Sequence, residues 1–196
     1  MNVLILNGSP RRNGIVGSLL KEAEQSAYGH VVERIDLYDC QIAFCSGCMA
    51  CRTSGRCSLP EDDGHRLAER IATADLLVIG TPTYWGNMSA KLKCLFDRTV
   101  PVFMGENRMG IPQPRRKGCR AIVVTTCTTP WPFNILFRQS SGAAKRVKEV
   151  LRTAGYRMRS LQVGGTKPMH GQAPEQAIRK MRRLVKKSLK KETNNG

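Results

Sequence analysis

Acidic residues are scarce in this chain: 15 Asp and Glu stand against 32 Lys and Arg in 196 residues, a formal net charge of +17. Aromatics are few as well, at 6%. No apolar run approaches the roughly 20 residues of a membrane-spanning helix. The longest, Leu76-Leu77-Val78-Ile79 and Ala121-Ile122-Val123-Val124, have strand length. No basic segment precedes Val3-Leu4-Ile5-Leu6, so the N-terminus does not read as a secretory signal. There is neither an internal repeat nor a low-complexity linker. These absences exclude wholesale disorder, collagen and coiled coil, and the 41% hydrophobic and 24% charged residues suit one globular domain with its own core. Eight cysteines without a secretory signal read as thiols or metal ligands rather than as a disulfide framework. The expectation is a cytoplasmic protein with no membrane partner.

A basic excess of this size suits a polyanion. Its distribution points elsewhere. Eight Lys and Arg lie between Arg179 and Lys191 with no acid among them. That is the pattern of a solvated helix face running into a basic tail. Nucleic-acid binding through this segment is kept as an alternative from another functional class, not as the expected partner.

Short apolar runs alternate with helical periods along the chain. Strands are expected over residues 2–7, 31–38, 75–81, 120–126 and 156–163. Between them, Val16, Leu19, Leu20, Ala23 and Ala27 share a helix face, as do Leu67, Ala68 and Ile71 in a helix over 62–73. Ser89 is placed to cap a helix that buries Leu92, Leu95 and Phe96. Residues 141–154 carry the clearest 3.6-residue period, and Gly155 stops it. Pro174 is expected at the first position of a last helix, whose inner stripe is Ala177, Ile178, Met181, Leu184 and Val185. Strands alternating with helices imply an α/β fold, a parallel sheet covered on both faces. Ligands of such sheets lie beyond the carboxyl ends of the strands, so the loops after strands one, three and four are the first places to look for chemistry.

The loop after strand one reads Asn7-Gly8-Ser9-Pro10-Arg11-Arg12-Asn13-Gly14. Small residues let backbone amides close around an anion at a helix N-terminus. Ser9 adds a hydroxyl, and Arg11 can hold phosphate bidentately. The loop is neither a Walker loop nor a GxGxxG dinucleotide loop, so a single phosphate held without Mg²⁺ fits it better. Asn-Gly-Ser-Pro-Arg-x-x-Gly closing a first strand resembles the NAD(P)H-dependent FMN reductase branch of the flavodoxin-like proteins. The resemblance covers residues 1–187. It implies a flavodoxin-like five-stranded parallel sheet in the order 2-1-3-4-5 and an FMN-binding domain over 1–187; the charge run and the end of the apolar stripe leave a basic, flexible tail over 188–196. It also implies that this loop holds the FMN phosphate. Where relatives follow the glycine with Asn and Thr or Ser, this chain has Ile15-Val16. A hydroxyl donor is lost there, and Ser18 is the candidate replacement.

After strand three, Pro82-Thr83-Tyr84-Trp85-Gly86-Asn87-Met88-Ser89 combines aromatic surface with hydroxyl and amide groups, the mixture an isoalloxazine ring needs. It matches the family's Pro-x-Tyr-x-Gly-x-x-Ser segment, which implies that Pro82, Thr83, Tyr84, Trp85, Gly86, Asn87 and Met88 cradle the ring. The bland alternative is that Tyr84 and Trp85 cap the sheet edge. In the loop after strand four the resemblance places Thr126 and Cys127 beside the flavin. Trp131 and Phe133 would shield the site or pack on a neighbouring subunit.

Cys45-x2-Cys48-x2-Cys51-x5-Cys57 puts four thiols within 13 residues. Sulfurs so close in sequence can wrap one soft metal centre at little entropic cost. The bacterial ferredoxin spacing is not met. The compact spacing resembles the iron–sulfur flavoproteins, a subgroup of the same family, which implies a [4Fe-4S] cluster near FMN. Free redox thiols and structural zinc remain open. Cys94 and Cys119 are expected as small buried residues.

The expected function is an FMN-dependent oxidoreductase in which NAD(P)H reduces FMN and a small acceptor is reduced in turn. The alternative is an iron–sulfur flavoprotein for electron transfer. Expected partners are a small redox substrate or an electron-carrier protein, and a second or further copies of the chain in a homodimer or homotetramer. The cofactor carries the hard chemistry, so no catalytic side chain is assigned.

Overall fold

The computed structural model describes residues 1–190. In chain order the elements begin with β1 (Asn2–Asn7), α1 (Ile15–Ser26), β2 (Val31–Asp36), α2 (Ala50–Ser54), α3 (Asp63–Thr73) and β3 (Leu76–Pro82). There follow α4 (Ala90–Arg98), α5 (Val100–Phe103), β4 (Met104–Glu106), β5 (Pro112–Pro114) and β6 (Arg120–Thr126). The last described elements are α6 (Phe133–Leu136), α7 (Gln139–Thr153), β7 (Arg157–Val163) and α8 (Glu175–Leu189). Five strands form one parallel sheet in the order β2-β1-β3-β6-β7. These are the five expected strands in the expected 2-1-3-4-5 order.

Alternation along the central strands splits the core in two. Leu4, Leu6, Leu77, Ile79, Ala121 and Val123 point to one face, where α3, α4 and α7 cover them. Val3, Ile5, Leu76, Val78, Ile122 and Val124 point to the other, under α1 and α8. Because both faces are dry, β1, β3 and β6 read as unbroken apolar runs rather than as alternating ones. The edge strands β2 and β7 are only partly buried.

The departures from expectation are local. β2 ends at Asp36 because Leu37–Asp39 close into a 3₁₀ turn. α7 begins at Gln139, two residues before the expected start. Pro174 is the N-cap of α8, with extended ψ, and not its first helical residue. Tyr156 lies outside β7, its N–H donating to the Leu151 carbonyl. The antiparallel β4–β5 hairpin gave no sequence signal, since β5 is three residues long and has proline at both ends. α8 runs to Leu189 with Ser188 buried. The expected tail beyond residue 190 lies outside the described residues. Among the described residues no helix is long and apolar enough to cross a membrane.

Candidate functional site

β1 delivers Asn7, fully buried, to the carboxyl edge of the sheet. Its Oδ1 accepts from the Ser9 N–H at 3.0 Å, and its Nδ2 donates to Asp36 Oδ1. This side chain turns the backbone at Gly8 in the manner of an Asx turn. Ser9 Oγ accepts from the Arg11 N–H at 3.2 Å, and the Gly14 N–H closes the loop on the Arg11 carbonyl. α1 follows with no side chain capping it. Its first-turn amides, which have no intrahelical acceptor in any helix, thus lack a capping side chain as well and carry the positive end of the helix dipole. The loop is pressed onto the helix at Gly17, where a Cβ would stand 1.7 Å from the Arg12 carbonyl oxygen.

β3 and β6 build the opposite wall. The Thr83 N–H donates to the Thr126 carbonyl at 2.8 Å, and the buried Thr83 Oγ1 has no partner among the described residues. Tyr84 and Asn87 exchange two backbone hydrogen bonds around Trp85 (φ 52°) and Gly86 (φ 71°). Positive φ at both central residues makes this a type I′ turn. Cys127 is buried, and burial pushes its thiol pKa up. From beyond β7, Thr166 Oγ1 donates to the Cys127 carbonyl. Gly171 packs on the β1 loop so closely that a Cβ would lie 3.1 Å from the Asn13 carbonyl oxygen.

These loops enclose a cavity of about 960 Å³ at the carboxyl edge, where the strand order reverses between β1 and β3. Of the expected residues, it brings together Ser9 and Arg11, then Pro82, Thr83 and Tyr84, then Thr126 and Cys127. Ser18 is not among the lining residues; it stands one turn into α1, its N–H bonded to the Gly14 carbonyl. Trp85 and Gly86 form the outward tip of the I′ turn, with Trp85 wholly exposed. Asn87 and Met88 border a separate groove of about 380 Å³ beside Phe96 and Val100. The loop after β7 was overlooked in the sequence. Thr166, Lys167, His170 and Gly171 all line the cavity. Gly164-Gly165-Thr166 at the end of a strand was the available signal.

The cysteine loop forms a second site. Cys45, Cys48, Cys51 and Cys57 all line one cavity of about 300 Å³, and all eight cysteines are free thiols. No three His, Cys, Asp or Glu side chains among the described residues converge as on a single metal ion. Cys48 Sγ lies 3.2 Å from the Ser58 hydroxyl, which holds its thiol below the ordinary range. Burial, followed by the neighbouring Cys57, pushes Cys51 up.

An ion pair between a buried guanidinium and a half-buried carboxylate fastens this loop. Arg98, at the end of α4, donates to Asp62 Oδ2 at 2.7 Å and Oδ1 at 2.9 Å. Asp62 also caps α3 in a capping box with His65. Burial would raise the Asp62 carboxyl, but Arg98, the Ala43 N–H and His65 outweigh it and hold the pKa well below the usual carboxylate range. Neither partner was singled out in the sequence, where 36 residues separate them.

Comparison with known proteins agrees with this arrangement. The profile of the NADPH-dependent FMN reductase family matches residues 1–112, and the chain belongs to that family. An iron-sulfur flavoprotein of Archaeoglobus fulgidus is 41% identical over 110 residues, 56% of this chain and 54% of that protein. The chain spans about half the length of the curated relatives it matches. Among solved structures, the NAD(P)H:quinone oxidoreductase from Methanothermobacter marburgensis superposes with a TM-score of 0.75 at 22% identity, over 99% of this chain and 98% of that one. The FMN-dependent NADH-azoreductase from Bacillus anthracis, solved in complex with FMN, gives 0.73 at 15% identity, over 95% and 99%. These two likenesses show the shared fold.

Proposed function

We propose that this chain is an FMN-dependent, NAD(P)H-linked oxidoreductase that holds FMN in the carboxyl-edge cavity and delivers electrons to a small acceptor. The observation that carries the reading is the cavity itself. An uncapped helix N-terminus with Ser9 and Arg11 lies on one side, and the unpartnered Thr83 hydroxyl with Tyr84 on the other. The first set suits a phosphate, the second the polar edge and face of a flavin ring. FMN supplies the hydride acceptance and electron release when bound. The protein's part is to grip the phosphate with the Ser9–Gly14 loop, to offer Thr83 Oγ1 as a hydrogen-bond partner, and to keep the Cys127 side of the site dry.

Two features support the remaining parts of the reading. Exposed Trp131, Leu136 and Phe137 around α6 form apolar surface of the kind a second copy of the chain would cover, in a homodimer or homotetramer. Eight unpaired thiols suit a reducing, cytoplasmic setting.

Arg11→Ala is expected to weaken FMN by about tenfold or more, the scale of one charge-assisted hydrogen bond. Riboflavin, which lacks the phosphate, should lose little. Parallel fluorescence titrations check this, and equal losses would remove Arg11 from the phosphate role. The function is tested by anaerobic titration of the FMN-loaded protein with NADPH and NADH. Bleaching of the flavin absorbance by one of them supports an NAD(P)H-linked enzyme; an oxidised spectrum with both would contradict it.

The shared cavity of Cys45, Cys48, Cys51 and Cys57 favours a second, compatible reading, in which these residues would hold a [4Fe-4S] cluster that supplies one-electron transfer. Iron and acid-labile sulfide in anaerobically prepared protein test it.

A further inference from the structure

Arg98 lies outside the flavin cavity and has only 2% exposure. Taking a guanidinium out of water costs several kcal/mol, and one carboxylate facing it bidentately would go far to offset that. Here the side chain does more. While two N–H groups hold Asp62, Nη1 also donates to the Ala43 carbonyl at 2.9 Å, two residues ahead of Cys45. Its Nε faces Cys57 Sγ at 3.2 Å. Asp62 repeats the contact from its own side by accepting the Ala43 N–H at 2.9 Å. His65 Nε2 lies 3.1 Å from the Cys57 carbonyl oxygen. The chain entering the four-cysteine loop and the last cysteine of that loop are thus tied to one buried side chain.

The sulfurs are also unequally served. Cys48 meets a neutral hydroxyl, whereas Cys57 meets a cationic donor in fixed geometry. We propose that Arg98 is the positioning residue of the four-cysteine site. Its Nε–H···Sγ bond orients the Cys57 sulfur toward the iron–sulfur centre and raises that centre's reduction potential. The inference rests on the reading of the four cysteines as cluster ligands. A cationic donor on a ligand sulfur stabilises the more negative, reduced state, so loss of the donor moves the potential downward. Lysine cannot replace it in full. A single ammonium keeps a charge for Asp62 but cannot reach Asp62, Ala43 and Cys57 as a planar fork does.

The test compares the full-length wild type with R98K and R98M, prepared anaerobically with ferrous iron and sulfide. Iron, sulfide and FMN per chain are measured, together with the midpoint potential of the cluster. R98K is expected to keep its FMN and to show a more negative potential. R98M is expected to retain iron about tenfold more weakly or worse, the usual scale for a residue that orients a ligand. If R98M also loses FMN it has failed to fold, and R98K alone decides. An iron-loaded wild type beside an R98K protein of unchanged iron content and potential overturns the role of Arg98 alone. A wild type with neither iron nor sulfide overturns the cluster reading and this proposal with it.

Discussion

A single methyl group at position 17 is expected to cost the protein its FMN. Gly17 is in the first turn of α1, and Ala there would ordinarily favour a helix by about 1 kcal/mol. Here its Cβ would stand 1.7 Å from the Arg12 carbonyl oxygen, a backbone atom that cannot rotate away. Either the Ser9–Gly14 loop or the start of α1 must move, and overpacking of this kind costs about 1–3 kcal/mol or more. Both elements that would hold the phosphate are displaced by either movement. Gly17→Ala should therefore weaken FMN by about a hundredfold, the equivalent of roughly 3 kcal/mol, with a smaller loss of thermal stability. Ser18→Ala, one residue on but away from the cavity, should leave FMN affinity unchanged. Fluorescence titration of the two variants side by side checks the pair. Unchanged affinity in Gly17→Ala would mean that the phosphate is held elsewhere.

Asp62→Asn is expected to be the most destabilising conservative change in the cysteine-loop region. It leaves the buried Arg98 guanidinium without its counter-charge, and breaking one side of a buried pair costs about 3–5 kcal/mol. In a chain of this size that lowers the melting temperature by roughly 10 °C. The pH dependence follows from the depressed pKa of Asp62. Its contribution is complete above the unfolded carboxyl value of about 3.9 and fades as pH falls below that toward the folded value. The gap in melting temperature between wild type and Asp62→Asn should thus be full at pH 7 and narrower at pH 3. A gap of the same size at both values would assign the loss to something other than the charge.

The sheet was legible because its central strands are buried on both faces. Runs such as Leu76-Leu77-Val78-Ile79 leave no polar residue for water, and the helical periods between them fix a parallel topology. Two walls of the cavity were legible for a related reason. Ser9, Arg11 and Tyr84 stand in loops whose residue types suit phosphate and flavin directly. What escaped was whatever depends on approach in three dimensions. His170 and Lys167 reach the cavity because Gly171 packs on Asn13, a contact between segments about 160 residues apart that no local pattern encodes. Trp85 fitted the aromatic content of a flavin loop, yet the I′ turn aims it at solvent. Arg98 and Asp62 carry no local pattern that marks them in the sequence. Only the fold makes them a buried clasp on the cysteine loop.

In our reading the carboxyl-edge cavity is a phosphate-anchored flavin site. Titration of flavin-free protein with FMN and, in parallel, with riboflavin, followed by flavin fluorescence, tests it most directly. Saturation is expected at one FMN per chain, with riboflavin bound at least about tenfold more weakly for want of the contacts to Arg11 and the α1 amides. No saturable FMN binding, or equal affinity for the two flavins, would contradict it.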